Sequence, residues 1–144
     1  TTLNVSRTIA IVKSGGLPQM SAFLTPQMKD TSEQITRVQK ELEAVRVAGG
    51  IGSSLQAEVE VHADGERHQV LQALGDDLRF VFITSQARLV RAADARIVVT
   101  PSPHAKCERC WHYRADVGRD AAHPQICARC TANLYGEGET RVHA

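Results

Sequence analysis

The chain has 144 residues, of which 42% are hydrophobic and 23% charged, so it suits one medium-sized folded domain or two small ones. The formal net charge is +1, which lacks the basic excess typical of a dedicated nucleic-acid binder. No apolar run approaches the roughly 20 residues of a membrane span, and the apolar stretch at residues 9–12 is too short for a signal-peptide core. We therefore expect a cytoplasmic protein with no membrane partner.

Residues 1–30 form a lead-in segment whose structure the sequence leaves open. The apolar pattern at residues 5–12 is compatible with a strand, and Gly15 and Gly16 would end it. Pro26 and Asp30 mark a further irregular stretch before the first clear element.

Residues 31–47 are predicted to form a long amphipathic helix. Thr31 is the expected N-cap, and Gln34, three residues later, completes a capping box. Gly49 and Gly50 then end the helix. Four apolar residues recur at helical spacing and define its buried stripe: Ile35, Val38, Leu42 and Val45.

Residues 55–63 alternate between apolar and polar side chains, which predicts a strand with one buried and one wet face. His62 falls on the polar face and is expected at the surface. Asp64 and Gly65 form a turn signal, and a short helix is expected over residues 66–75.

Three further strands are predicted, at residues 80–83, 87–90 and 96–99. Pro101 and Pro103 do not suit a central strand and indicate a linker. The sequence therefore predicts an α+β chain in which residues 31–100 form a helix plus a small α/β domain with a mixed sheet, and residues 104–144 form a separate metal-binding module.

The metal-binding module is predicted from two Cys-x-x-Cys pairs. Cys107 and Cys110 are separated by sixteen residues from Cys127 and Cys130. A two-residue gap lets both thiolates of one tight turn face the same point, and two such turns supply the tetrahedral sulfur set that zinc prefers. Disulfides are the alternative, and a reducing compartment disfavours them.

Four thiolates leave no coordination position for water, so this zinc is expected to be structural rather than catalytic. The module has few large apolar side chains, which is too little core for about 40 residues to fold unaided, and zinc would supply the missing free energy. Three histidines near the pairs are interpreted as non-ligands: His104, His112 and His123.

The residues around these pairs resemble the zinc segment of bacterial isoleucyl-tRNA synthetases. The similarity lies in Lys-Cys-Glu-Arg-Cys-Trp-His-Tyr at residues 106–113, in residues 126–134 and in the tail at residues 136–141. It extends upstream to residues 45–59 and 74–85, and so covers about residues 33–144. Residues 1–30 depart from the family pattern, and the stretch between Ser85 and Cys107 is shorter than in many members.

The resemblance implies the C-terminal portion of a class I synthetase, which helps to hold the anticodon arm of the isoleucine tRNA. Its implied partners are that tRNA and the remainder of the synthetase, and we expect a monomer. The chain has neither the His-x-Gly-His nor the Lys-Met-Ser-Lys-Ser motif of ATP handling, so it should not activate isoleucine alone. Catalytic residues and a bound organic cofactor are therefore not expected.

Four residues in or beside the Cys-x-x-Cys turns are the predicted RNA contacts: Arg109, Trp111, Tyr113 and Arg129. Aromatic rings can stack on unpaired bases, and arginines can hold phosphates. The alternative is that both aromatic rings pack over the zinc turns as core.

Two other functions stay open at this point. A free-standing zinc ribbon that binds nucleic acid or protein, as in base-excision DNA glycosylases, leaves residues 51–85 unexplained. A purely structural module, in which zinc fixes a docking surface, suits the near-neutral charge.

Overall fold

A computed structural model describes residues 26–140, so the strand considered at residues 5–12 lies outside the described residues. The first element is a long helix, α1, at Pro26–Val47. Pro26 at the first helical position fits, because the N–H that proline lacks has no intrahelical acceptor there. The helix thus begins five residues before the predicted start. The capping box is wrong: Thr31 lies inside the helix, and the Gln34 side chain is buried.

The C-terminal end of α1 is a glycine cap. Gly49 has a positive φ of 79°. Its N–H donates to the carbonyl of Arg46 at 3.0 Å, and the Gly50 N–H donates to the carbonyl of Val45 at 2.9 Å. This pair of bonds is a Schellman motif, which satisfies carbonyls that the helix leaves free. The predicted end at Gly49 and Gly50 is confirmed.

A three-stranded mixed sheet lies at the centre of the α/β part. Strand β1 at Ala57–Ala63 pairs in parallel with β2 at Gln86–Arg91 and antiparallel with β3 at Arg96–Pro101. The predicted alternation along β1 is confirmed, since Ala57, Val59, Val61 and Ala63 are all buried. Pro101 lies at the last position of an edge strand, where a missing N–H is tolerated.

His62 departs from the expected surface position. Its side chain is 9% exposed, and Nε2 lies 2.6 Å from the Glu60 Oε1 atom. The polar face of β1 is therefore partly covered rather than fully wet.

Two short helices form the crossover between the parallel strands, as a parallel pair requires. They are α2 at Gly65–Gln72 and α3 at Leu78–Phe82, with a 3-10 turn at Gly75–Asp77 between them. The strand predicted at residues 80–83 is therefore wrong. A short apolar run reads equally as a buried strand or as one helical turn, and here Leu78 and Phe82 are buried on the same side of the turn.

Ile83 ends α3 in a left-handed conformation, with φ 57° and ψ 49°. Its N–H donates to Phe80 O at 3.3 Å, and the Thr84 N–H donates to Arg79 O at 2.9 Å. This is the same Schellman geometry as at Gly49, but a β-branched residue occupies the position that favours glycine. The left-handed region costs an L-residue about 1–2 kcal/mol.

The core lies between α1 and the sheet. Helix α1 packs against α2, α3 and β3. Its predicted stripe is confirmed, since Val38 and Leu42 are buried and Ile35 and Val45 pack beside them. The other helices add Leu71, Leu78 and Phe82 to this core. Within residues 26–140, no helix is long and apolar enough to cross a bilayer.

The C-terminal part is built around the cysteines. Strands β4 at Ala105–Lys106 and β5 at Tyr113–Arg114 form a short hairpin, and helix α4 follows at Ala128–Tyr135. A long helix, a small mixed sheet with short helices and a four-cysteine module make up the predicted α+β fold, which is confirmed.

Candidate metal centre

The four cysteines come from two turns that the local backbone shapes. Cys107 and Cys110 lie in the loop of the β4–β5 hairpin, where the Cys107 N–H donates to His112 O at 2.8 Å and the Trp111 N–H donates to Cys107 O at 2.9 Å. Cys127 is the N-cap of α4, and Cys130 lies in its first turn. A hairpin loop and a helix start thus present two sulfur atoms each.

The four sulfur atoms lie within 4.8 Å of one another. The Sγ atoms of Cys107 and Cys130 are 3.7 Å apart, and those of Cys110 and Cys127 are 3.8 Å apart. A Zn–S bond of about 2.3 Å in a regular tetrahedron places neighbouring sulfurs about 3.8 Å apart. A disulfide would need about 2.05 Å. The spacing therefore fits one zinc ion and does not fit disulfides.

Burial and backbone donors set the charge of the thiols. Burial raises the pKa of Cys107, but the backbone N–H groups of Cys110, Cys127 and Arg109 outweigh it and lower that pKa to about 6. The Cys127 N–H lies 3.3 Å from the Cys107 Sγ atom. Burial raises the pKa of both Cys110 and Cys127. One sulfur is thus favoured as a thiolate in this geometry, whereas the Cys110 and Cys127 thiols lose their protons when the metal binds.

The three nearby histidines are held by other partners. His104 Nε2 lies 3.7 Å from the Glu58 Oε1 atom, and the His123 ring stacks on Tyr135 at 3.9 Å. The His112 Nδ1–H donates to Cys110 O at 3.1 Å. None of these histidines belongs to the sulfur group found among the described residues.

Trp111 follows the second cysteine of the first turn and is the most unusual residue near the site. It has a positive φ of 65°, and its side chain is 59% exposed. The Lys106 Nζ atom lies 4.8 Å from the Trp111 ring centre. The ring is therefore not core, and a cation stands over it. The contact between Lys106 and Trp111 is not predicted from the sequence; the hairpin that joins their segments brings the two side chains together.

The other three predicted RNA contacts differ in their surroundings. Arg109 is exposed, and its Nη1 donates to the Cys130 Sγ atom at 3.6 Å. Tyr113 is half-buried. Arg129 is engaged within the fold, because its Nε donates to the Glu139 Oε2 atom at 2.7 Å and its guanidinium lies 4.9 Å from the Phe80 ring centre. Arg109 and Trp111 are thus the more accessible pair.

Contacts from the α/β part hold the metal-binding module in place. The Ser85 hydroxyl donates to Leu55 O and accepts the Tyr113 N–H at 2.6 Å. Phe80 meets the His112 ring edge-on, with ring centres 5.7 Å apart. Neither Ser85 nor Phe80 was predicted as part of the site, since a lone serine and an apolar run carry no signal of a contact with a distant module.

A closed four-cysteine site with two short turns defines a structural zinc-finger protein, and residues 106–133 match the family model of the zinc finger found in FPG and IleRS. Sequence similarity to much longer proteins extends well beyond residues 106–133. The chain is 64% identical over 131 residues to the isoleucine–tRNA ligase of Ralstonia pickettii (strain 12J), which covers 89% of this chain and 14% of that protein.

Two further relatives agree. The isoleucine–tRNA ligase of Janthinobacterium sp. (strain Marseille) is 62% identical over 133 residues, covering 89% of this chain and 14% of the relative. That of Cupriavidus necator is 60% identical over 110 residues, covering 74% and 11%. The chain is therefore a homologue of one part of the bacterial isoleucine–tRNA ligases, and the predicted resemblance is confirmed. Its predicted extent is too short, because alignments that cover 89% of the chain include part of residues 1–30, which were expected to depart from the family. The chain spans 11% to 14% of the length of these three relatives.

The expected single structural zinc ion is supported by both the family match and the sulfur cluster.

Proposed function

We propose that this chain is the C-terminal tRNA-binding portion of an isoleucyl-tRNA synthetase, which holds the anticodon arm of the isoleucine tRNA through its zinc module. Cys107, Cys110, Cys127 and Cys130 are the proposed ligands of the zinc ion. The similarity to isoleucine–tRNA ligases supports a role with tRNA. The chain's own contribution would be binding, because the catalytic motifs of the family are missing from its sequence.

The observation that carries this proposal is that Trp111 combines a positive φ with an exposed side chain. A bulky residue with positive φ is a backbone outlier, which persists only where surrounding structure or function repays its cost. Burial of the side chain offsets little of this strain, since 59% of the side chain is exposed. An exposed indole beside a lysine suits an unpaired base, because the ring stacks on the base while the cation meets its phosphate.

The local charge near Trp111 supports this reading despite the net charge of +1. Lys106 lies over the ring, and Arg109 lies in the same hairpin loop as Trp111. This loop also carries the exposed Glu108. Arg109 also touches the Cys130 sulfur, so zinc-bound sulfur would orient it. Two cations and one ring are enough for a local contact with a single-stranded loop, although they would not bind a duplex strongly.

The remaining roles are part of the same proposal. Residues 31–100 would act as an α/β junction domain and residues 104–144 as the zinc module, with the rest of the synthetase as the protein partner. The synthetase would be a monomer in the cytoplasm, where tRNA is charged. A free-standing zinc ribbon is less well supported, because the synthetase matches extend far beyond residues 106–133.

Trp111 is the only tryptophan, so its fluorescence can report binding directly. We expect the zinc-loaded chain to show quenching with isoleucine tRNA, weaker quenching with a non-cognate tRNA, and a lower affinity at higher salt. Trp111→Ala removes the fluorophore, so its affinity and that of the unmodified chain are compared by filter binding of labelled tRNA. The substitution should weaken binding about tenfold or more, as loss of one stacked base does. Tyr135→Ala is the matched control, because Tyr135 is an aromatic residue of the same module with 64% exposure. Equal affinity of the Trp111→Ala chain and the unmodified chain would reject the proposed contact.

A further inference from the structure

A second strained apolar residue lies on the α/β part, at the end of α3. Ile83 and Trp111 are the two non-glycine residues with positive φ in the described part of the chain. Ile83 is β-branched, which makes its left-handed conformation a clear outlier. Its side chain is 55% exposed, so burial of the side chain does not offset the backbone strain.

Ile83 borders a groove between α1 and α3. The groove has a volume of about 220 Å³, and its apolar wall comprises Leu42, Ile51, Phe82 and Ile83. Leu42, Ile51 and Phe82 are core residues, so the groove opens directly onto the core of the α/β part. It is large enough to take an apolar side chain.

The rim of the groove does not favour a charged ligand. Its two charged residues, Glu43 and Arg46, pair with each other through two hydrogen bonds of 2.6 and 2.8 Å. The carboxylate and the guanidinium therefore satisfy each other across the rim. An anionic partner such as RNA would have to compete with Glu43 for Arg46, whereas an apolar partner would leave the pair intact.

We propose that this groove, with Ile83 at its edge, is the surface on which the rest of the synthetase polypeptide packs an apolar side chain. The occupant follows from the size of the relatives, since the region matched by this chain is 14% of the Ralstonia pickettii protein. A segment of that size has to contact the larger body through some face. The left-handed Ile83 places an exposed apolar side chain beside an open part of the core, so a contact there would bury both Ile83 and the groove wall. This inference rests on the synthetase origin of the chain but not on tRNA binding.

The test compares the isolated chain with a full-length enzyme in which this chain replaces the matching segment of the Ralstonia pickettii ligase. Hydroxyl-radical footprinting measures the exposure of individual aliphatic side chains in both proteins. We expect labelling of Ile83 to fall about tenfold or more in the full-length enzyme. Val98, which is 36% exposed on the edge strand β3, gives the reference for an apolar residue away from the groove. Equal labelling of Ile83 in both proteins would overturn the proposal.

Ile83→Gly gives a second, independent readout. Glycine adopts a positive φ without strain, so the substitution should raise the Tm of the isolated chain. In the full-length enzyme it removes the proposed contact and should lower the Tm of the transition that includes this segment. A rise in Tm in both proteins would contradict the docking role. The tRNA affinity of the isolated Ile83→Gly chain should equal that of the unmodified chain, so failure of the tRNA proposal and failure of the docking proposal give different results.

Discussion

The Ser85 hydroxyl lies 2.6 Å from the backbone nitrogen of Tyr113 and joins the α/β part of the chain to the zinc module. The same hydroxyl donates to Leu55 O, just before β1, and the Ser85 side chain is fully buried. One side chain therefore connects the loop before β1, the start of β2 and the hairpin that carries Cys107 and Cys110. The orientation of the module depends on this bridge and on the contact between Phe80 and His112.

Ser85→Ala should destabilise the chain by about 1–3 kcal/mol, because it leaves the Leu55 carbonyl and the Tyr113 N–H without their buried partner. Ser53→Ala is the matched control, since Ser53 is exposed and its side chain makes no capping hydrogen bond. Urea unfolding of both variants measures the difference. Equal free energies of unfolding for the two variants would show that the bridge contributes nothing.

Zinc removal should unfold the cysteine module. The module has a core of three buried cysteines with Cys110, Val117 and Ile126 beside them, so little apolar packing remains without the metal. We expect one zinc ion per chain by atomic absorption, and loss of it in Cys127→Ser. His112→Ala should retain the zinc ion, because His112 lies outside the sulfur cluster. A histidine variant that loses zinc as Cys127→Ser does would show that the ligand set is wrong.

Zinc binding at pH 7 should release at least two protons. The metal-free module is unfolded, so its cysteines are ordinary thiols that are mostly protonated at pH 7 and must lose their protons to bind zinc. Burial in the folded site raises the pKa of Cys110 and Cys127, so these two thiols become thiolates only together with the metal. Zinc affinity should therefore decrease as the pH is lowered. Calorimetry in buffers of different ionisation enthalpy counts the protons. Release of fewer than two would mean that the buried thiols are already thiolates.

Phe80 and Arg129 should be energetically coupled across the boundary between the two parts. The Phe80 ring lies between the guanidinium groups of Arg79 and Arg129, at 4.7 and 4.9 Å from its centre. A cation above an aromatic ring at a partly exposed site is worth about 0.5–1 kcal/mol. A double-mutant cycle with Phe80→Leu and Arg129→Met should give a coupling of that size. The cycle separates this contact from the ion pair of Arg129 with Glu139. A coupling near zero would show that the contact between Phe80 and Arg129 contributes nothing to stability.

Gly49→Ala should destabilise the chain by about 1 kcal/mol. Gly49 holds a φ of 79°, and a Cβ atom there would meet nothing within 4 Å, so the cost is conformational rather than steric. The opposite substitution at the equivalent position of α3, Ile83→Gly, should stabilise the isolated chain. Chemical denaturation of both variants measures the pair. If both substitutions changed the free energy of unfolding in the same direction, the two Schellman caps would not share one backbone preference.

The elements with clear periodicity could be predicted, and those set by tertiary contacts could not. The stripe from Ile35 to Val45 and the alternation from Ala57 to Ala63 identified α1 and β1, because a regular pattern over many residues has one interpretation. The helix at Leu78–Phe82 was mistaken for a strand, since five residues span little more than one turn. The pairing order of the strands depends on how the crossover helices pack, which no local pattern records.

The cluster of four cysteines could be predicted from the sequence, whereas its surroundings could not. Cysteine spacing alone located the four sulfurs that the fold gathers. The ion pair of Arg129 with Glu139 could not be predicted from the sequence, because the nine residues between them carry no regular pattern. The exposure of Trp111 likewise depends on a positive φ, which the flanking residues do not predict.

The isoleucine at position 83 has a consequence for how this segment would evolve. A copy that became separated from the larger enzyme would gain stability by mutating Ile83 to glycine or asparagine, and selection for docking would no longer oppose that change. The identity of the residue at this one position would therefore record whether a given lineage still uses the segment as part of a synthetase.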